Sequence, residues 1–156
     1  MRVGVISDTH GDLATIRQVV KGVQVDMWLH AGDCSQDGEY LRNLVAVPVI
    51  AARGNCDGHT SAKIDEFVEV SGHRIWLTHG HRYGVKQNTH DLVRWGKQHE
   101  VDIVLYGHTH IADNHWCDGI LIFNPGSAYG SHATYGILEI DDHGQVVANV
   151  IQLNSE

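Results

Sequence analysis

Seven positions of this chain have the chemistry of metal ligands: Asp8, His10, Asp33, Asn55, either His79 or His81, His108 and His110. They fall into five short clusters, Asp8-Thr9-His10, Gly32-Asp33, Gly54-Asn55-Cys56-Asp57, Thr78-His79-Gly80-His81 and Gly107-His108-Thr109-His110. Seven donors are too many for one tetrahedral zinc and match two metals that share a carboxylate. Asp33 is the natural bridge, because its two oxygens can hold two cations roughly 3.5–4 Å apart. Asp8 and His10 are two residues apart, as are His108 and His110, and in an extended segment such a pair faces one way. A donor set of oxygen and imidazole without thiolate suits Mn²⁺, Fe²⁺, Zn²⁺, Ni²⁺ or Co²⁺ better than Ca²⁺ or Cu⁺. Each cluster alone has a plainer reading: Gly-Asp is a common turn, and asparagine tolerates the left-handed turn conformation. The five together carry the metal chemistry.

The elements that must position these residues are legible around them. Four clusters follow apolar, β-branched runs, over 3–7, 48–52, 75–77 and 101–106, and Gly32-Asp33 follows the shorter Met27-Trp28-Leu29. A polar group at the carboxyl end of each strand is how an α/β sheet gathers residues into one crevice. Leu13, Ile16, Val19, Val20 and Val23 repeat at helical spacing after Asp12, which can cap the helix. Its first amides are expected to face the site and favour an anion. A helix is also expected around 38–44, and another from a cap at Asn88 or Thr89 to about Gln98. Phe67–Val70 and Arg74–Thr78 read as a hairpin turning at Ser71-Gly72-His73. After Gly107 the pattern predicts strands at 115–117, 120–123, 134–140 and 145–153, a β-meander without intervening helix. A βα first half and an all-β second half predict two stacked sheets with helices outside.

Bulk properties narrow the setting. The 156 residues suffice for one domain with a proper core, taken as 1–156. A formal net charge of −8 argues against wrapping an extended nucleic acid, which needs a basic stripe. It does not exclude a phosphate substrate, since bound divalent ions govern the local field. No apolar run reaches membrane-span length, and the chain passes from Met1-Arg2 straight into a strand, so neither membrane anchoring nor a leader is expected. Cys34, Cys56 and Cys117 are odd in number and lack CxxC spacing, which points to a reduced cytoplasmic setting. The other histidines, His30 among them, carry no ligand motif and read as solvated or locally bonded.

The order D-x-H, G-D, G-N-C-D, H-G-H, G-H-x-H resembles the calcineurin-like metallophosphoesterases. Arg53-Gly54-Asn55-Cys56-Asp57 and Asn124-Pro125-Gly126-Ser127 look like the small bacterial and archaeal phosphodiesterase branch, to which the retromer subunit of the same fold is related. The resemblance implies a four-layer αββα sandwich of two mixed sheets, and His79 as the fourth-cluster ligand, with His81 beside it to orient substrate. It implies one metal on Asp8, His10, Asp33 and His110, and the other on Asp33, Asn55, His79 and His108. Manganese is the leading choice. The expected activity is a dinuclear metallophosphoesterase that hydrolyses small phosphodiesters by attack of a metal-activated hydroxide. The rival is an interaction scaffold of the retromer kind, which would not require a complete ligand set. Cys56 stands where many relatives carry histidine, and a thiol is a weak donor, which puts esters with poor leaving groups in doubt. Asp57 either orients a neighbour or caps a turn. Arg53 either clamps a phosphate oxygen or forms a surface ion pair. The 124–127 block is expected to shape the rim. Oligomeric state is open, a homodimer being compatible with the sequence.

Overall fold

The structure is a computed structural model and describes residues 1–33, 35–55 and 62–153. In chain order the elements are β1 (Arg2–Ile6), α1 (Leu13–Gly22), β2 (Met27–His30), α2 (Ser35–Leu44), β3 (Val49–Ala51), β4 (Asp65–Val70), β5 (His73–Thr78), α3 (His90–Gln98), β6 (Ile103–Leu105), β7 (Asp113–Cys117) and β8 (Ile120–Asn124). A 3₁₀ turn at Gly130–His132 then leads to β9 (Thr134–Ile140) and β10 (Val146–Gln152). They form two five-stranded sheets, ordered β10-β9-β1-β2-β3 and β4-β5-β6-β8-β7.

Strand alternation builds the layers. Val3, Val5, Met27 and Leu29 of the first sheet and Ile75, Leu77, Ile103, Leu105, Leu121 and Phe123 of the second share one buried core between the sheets. The alternate residues point outward: Ile6 and Trp28 pack with Ile16, Val19 and Leu41 of the first two helices. Trp76, Val104, Ile120 and Ile122 pack with Leu92 and Val93 of α3. Two sheets face to face with helices outside is the expected αββα sandwich. Asp12 caps α1, its carboxylate accepting from the Thr15 amide and hydroxyl.

β1, β2 and β3 run parallel, as do β5, β6 and β8. The second half differs from the expected meander. β7 and β8 form a hairpin, but β8 lies parallel to β6 in the second sheet. The chain then crosses to the first sheet, where β9 inserts antiparallel between β1 and β10. Every residue of β8 is buried, as a central parallel strand requires, and its local sequence does not distinguish hairpin from crossover. Among the described residues no helix is long and apolar enough to cross a membrane.

Candidate metal centre

The candidate ligands stand just beyond the carboxyl ends of β1, β2, β3, β5 and β6. They get there by turning rather than by extension. Asp8, His10, Asp33, His108 and His110 all have positive φ, at 53°, 46°, 128°, 72° and 63°. Pairing by extended i, i+2 geometry is therefore corrected: each residue leaves its strand through a left-handed turn that aims it back over the sheet ends. Such conformations cost of order 1–3 kcal/mol each for ordinary residues and gather at functional sites.

A hydrogen-bonded scaffold holds these turns. Ser7 Oγ and the His108 amide both donate to Asp8 Oδ2, at 2.7 and 2.9 Å. Ser127 Oγ donates to the Asp8 carbonyl at 2.7 Å. Buried Asn124 donates through Nδ2 to the Gly107 carbonyl and Thr109 Oγ1, and accepts from the Gly126 amide. The 124–127 block thus braces both the first and the last ligand loop, a deeper role than shaping a rim. Two glycines are required by close approach: a Cβ on Gly107 would lie 2.0 Å from Ser7 Oγ, and one on Gly54 would lie 2.3 Å from the Asp33 nitrogen.

Sequence reasoning missed a further support. His30 is 1% exposed; its Nδ1 accepts from the Gly32 amide and its Nε2 contacts Thr9 Oγ1. Burial pushes its pKa down, so the ring is neutral. Thr9 in turn donates to Asp37 of α2, which also accepts the Gly11 amide at 2.8 Å. The Gly11 amide is held by Asp37, the Leu13 amide by the Gly11 carbonyl and the Thr15 amide by Asp12, so the start of α1 spends those donors on its own chain. His30 and Asp37 carry no motif; the one signal was His30 at the end of the apolar run Met27-Trp28-Leu29.

The donors themselves form a continuous cluster. Oxygen and nitrogen atoms of Asp8, His10 and His110 lie within 4.8 Å of one another, as do those of Asp8, Asp33 and His79. His10 Nδ1 is 2.7 Å from Asp33 Oδ2 without hydrogen-bond geometry, and His10 Nε2 is 3.1 Å from His110 Nε2. His79 Nδ1 lies 2.9 Å from the Ala31 carbonyl, to which it can donate. That anchoring leaves Nε2 facing Asn55 Oδ1 at 2.9 Å and Asp8 Oδ1 at 3.7 Å. Backbone anchoring of one imidazole nitrogen while the other faces oxygen donors is the arrangement of a metal-ligating histidine. His108 stacks edge-on against His79, with ring centroids 5.1 Å apart. Burial, then His79, holds the His108 pKa below the ordinary imidazole value, and a neutral ring is what a cation requires.

These residues fit divalent ions. Asp8 Oδ1 and Asp33 Oδ2 are buried and, among the described residues, have no hydrogen-bond partner. Buried carboxylate oxygens without donors are rare in folded proteins, and a bound ion is a standard explanation. A cavity of about 280 Å³ opens over them, lined by six of the seven candidate ligands with Lys86 and Thr109. His79, the seventh, is fully buried.

The other expected site residues take varied places. His81 lies beside His79 and His108, at centroid distances of 5.5 and 6.3 Å. Burial and its His79 neighbour lower its pKa, with Arg82 and Arg53 adding to the effect. Arg53 therefore brings its charge near His81, and its amide donates to the Lys63 carbonyl. Cys56 and Asp57 lie outside the described residues. Lys86 was not foreseen.

Strand-end imidazoles and carboxylates gathered over two facing mixed sheets define a metal-dependent hydrolase architecture. Residues 1–143 match the calcineurin-like phosphoesterase superfamily domain. The chain is 28% identical over 162 residues to the probable metallophosphoesterase YsnB of Bacillus subtilis, covering 100% of this chain and 94% of that protein. It is 31% identical over 163 residues to the phosphodiesterase MJ0936 of Methanocaldococcus jannaschii, covering 90% and 94%. The Vps29 structure from Entamoeba histolytica (its D62A mutant) superposes with a TM-score of 0.78 at 24% identity, covering 99% and 100%, and so shares the fold. This chain belongs to the calcineurin-like phosphoesterase superfamily, and it is a metallophosphoesterase, a hydrolase of phosphate esters.

Proposed function

We propose that the chain is a dinuclear phosphodiesterase acting on small soluble phosphodiesters, with manganese the leading metal. The observation that carries this is the pair of buried carboxylate oxygens on Asp8 and Asp33, without a donor among the described residues, amid imidazoles and an amide oxygen. Asp8, His10, Asp33 and His110 would hold one ion; Asp33, Asn55, His79 and His108 would hold the other. Two ions there would polarise a phosphoryl oxygen and lower the pKa of a water so that it attacks phosphorus near neutral pH. The chain's own task is positioning. Ser7, Ser127 and Asn124 fix the ligand loops, while Ala31 fixes the His79 ring. His81 and Arg53 stand where they can orient the ester, and Asn55 serves both as ligand and as a contact for substrate. The fully populated ligand set supports an enzyme over an interaction scaffold, which would not need it. The cytoplasmic setting belongs to the same proposal, supported by the odd, unmotifed cysteines.

The test is metal analysis followed by an activity screen. Protein reconstituted with Mn²⁺ is expected to bind two ions per chain, and chelation is expected to abolish hydrolysis of an activated diester. A stoichiometry of one, or activity that survives chelation, would sink the two-metal mechanism.

A further inference from the structure

A second cavity, of about 520 Å³, adjoins the metal cleft and shares Lys86 and Thr109 with it. Its walls are continuations of two ligand loops. Val85 and Lys86 follow the His79-Gly80-His81 segment, and Ile111 and Ala112 follow His108-Thr109-His110. Tyr106 lies behind. Asp113 is the one carboxylate of this lining, and both its oxygens are engaged, Oδ2 by the Tyr106 hydroxyl and Oδ1 by His115, each at 2.6 Å. The lining is otherwise Val, Ile, Ala and a tyrosine ring, and Ile111 stands 71% exposed at the mouth. A mutual turn, in which the Ile111 amide donates to Thr109 Oγ1 and that hydroxyl donates back to the Ile111 carbonyl, holds Ile111 beside the cleft. Lys86 is exposed, and among the described residues no carboxylate pairs with it. Its charge reaches His108. One unpaired cation on the border of an anion-binding cleft and an apolar cavity matches a molecule with an anionic centre and an apolar arm.

The geometry points to this second cavity as the subsite for one organic substituent of the phosphodiester, an aryl or alkyl group. Lys86 binds a non-bridging phosphoryl oxygen at the border. This rests on the phosphodiesterase reading of the metal cleft and deepens it. A monoester has no second substituent to place there, so the subsite favours diesters. A volume of this size accommodates a ring with room to spare.

Two measurements on Mn²⁺-loaded protein test the assignment. The first is calorimetric binding of O-methyl phenylphosphonate and O-methyl methylphosphonate, monoanionic diester analogues that differ only in the group on phosphorus. The second is kcat/KM for phenyl and methyl p-nitrophenyl phosphate, which share a leaving group. The phenyl compound is expected to bind on the order of tenfold more tightly than the methyl compound, the yield of burying most of an aromatic ring. Ala112→Leu, at an exposed position, narrows the cavity and is expected to reduce that preference while methyl binding persists. Lys86→Gln is expected to weaken both analogues by a similar factor, roughly tenfold for loss of a charge-assisted contact. Equal binding of the two analogues by the wild type would overturn the subsite, as would a preference that Ala112→Leu leaves intact. Unchanged affinity in Lys86→Gln would overturn the role of the lysine. A phenyl preference without hydrolysis of either diester would leave the subsite standing and refute the phosphodiesterase reading. Hydrolysis indifferent to the second substituent, with equal binding, would do the reverse.

Discussion

At the scale of single residues, Asp33 and His10 make a contrast that the geometry predicts. Asp33 is buried, its Oδ2 lies 2.7 Å from His10, and it clusters with Asp8 and His79. It therefore faces both proposed ions, whereas His10 sits at the edge, where a third of its side chain is exposed. Asp33→Asn is expected to lower both metal occupancy and turnover, by more than the 10–100-fold typical of groups one step removed from a metal. His10→Ala is expected to cost less and to spare one ion. Metal content and kcat measured side by side check this, and near-normal turnover with two metals in Asp33→Asn would refute the bridge. The candidate ligand positions were legible because a polar donor after an apolar run is conspicuous without any knowledge of the fold. His30, Asp37 and Lys86 were not, because their meaning comes entirely from neighbours 21 to 28 residues away or from a shared cavity wall. The pairing of Asp8 with His10 was found for a reason the backbone contradicts: left-handed turns, not extension, aim them.

At the scale of elements, the strand order explains why the brace comes from β8. β8 lies parallel to β6, so its final residue, Asn124, emerges beside the start of the His108 loop. The chain then crosses to the first sheet past Asp8, where Ser127 and Ala128 bond the Asp8 and Ser7 carbonyls. Asn124→Ala would strip the partner of the Gly126 amide, and one donor each from the Gly107 carbonyl and Thr109 Oγ1, which keep the Thr109 and Ile111 amides. A buried amide so orphaned costs about 1–3 kcal/mol in mutational series. The variant is expected to lose about 2 kcal/mol in urea unfolding, and to bind Mn²⁺ more weakly although it removes no proposed ligand. Ser127→Ala, at a half-buried position, is expected to lose less. Unchanged Mn²⁺ affinity in Asn124→Ala would mean that the brace serves stability alone. Most strands were legible as apolar runs: Met27–His30 and Thr134–Ile140 stand where the pattern put them. The split of the last four strands between sheets was not, since a buried run carries no mark of its partner, and a tight turn fits both a local hairpin and an edge of a crossover.

At the scale of the whole molecule, the site works against the stability of the fold that carries it. Five candidate ligands hold positive φ, and among the described residues two buried carboxylate oxygens lack donors, so without metal the crevice is a source of strain and unpaired charge. Metal binding should reverse this, since each ion adds about 2.7 kcal/mol when its concentration is 100 times its Kd. Asp8→Asn separates the two contributions. The amide oxygen can keep the acceptor place of Oδ2 toward Ser7 and the His108 amide. The new NH₂ takes the place of Oδ1, 3.4 Å from His110 Nε2 and 3.7 Å from His79 Nε2, where lone pairs can accept it. Asparagine is also among the residues most at ease with a φ of 53°. In chelator, Asp8→Asn is therefore expected to be more stable than the wild type, by about 1–3 kcal/mol for a buried unpaired group made whole. In saturating Mn²⁺ the order should invert, because the variant has lost a charged ligand and with it most of the linkage. Urea unfolding of both proteins, with chelator and with Mn²⁺, reads all four values. A variant less stable than the wild type in chelator would show that Asp8 supports the fold as much as the metal. A variant that gains as much from Mn²⁺ as the wild type would remove Asp8 from the ligand set.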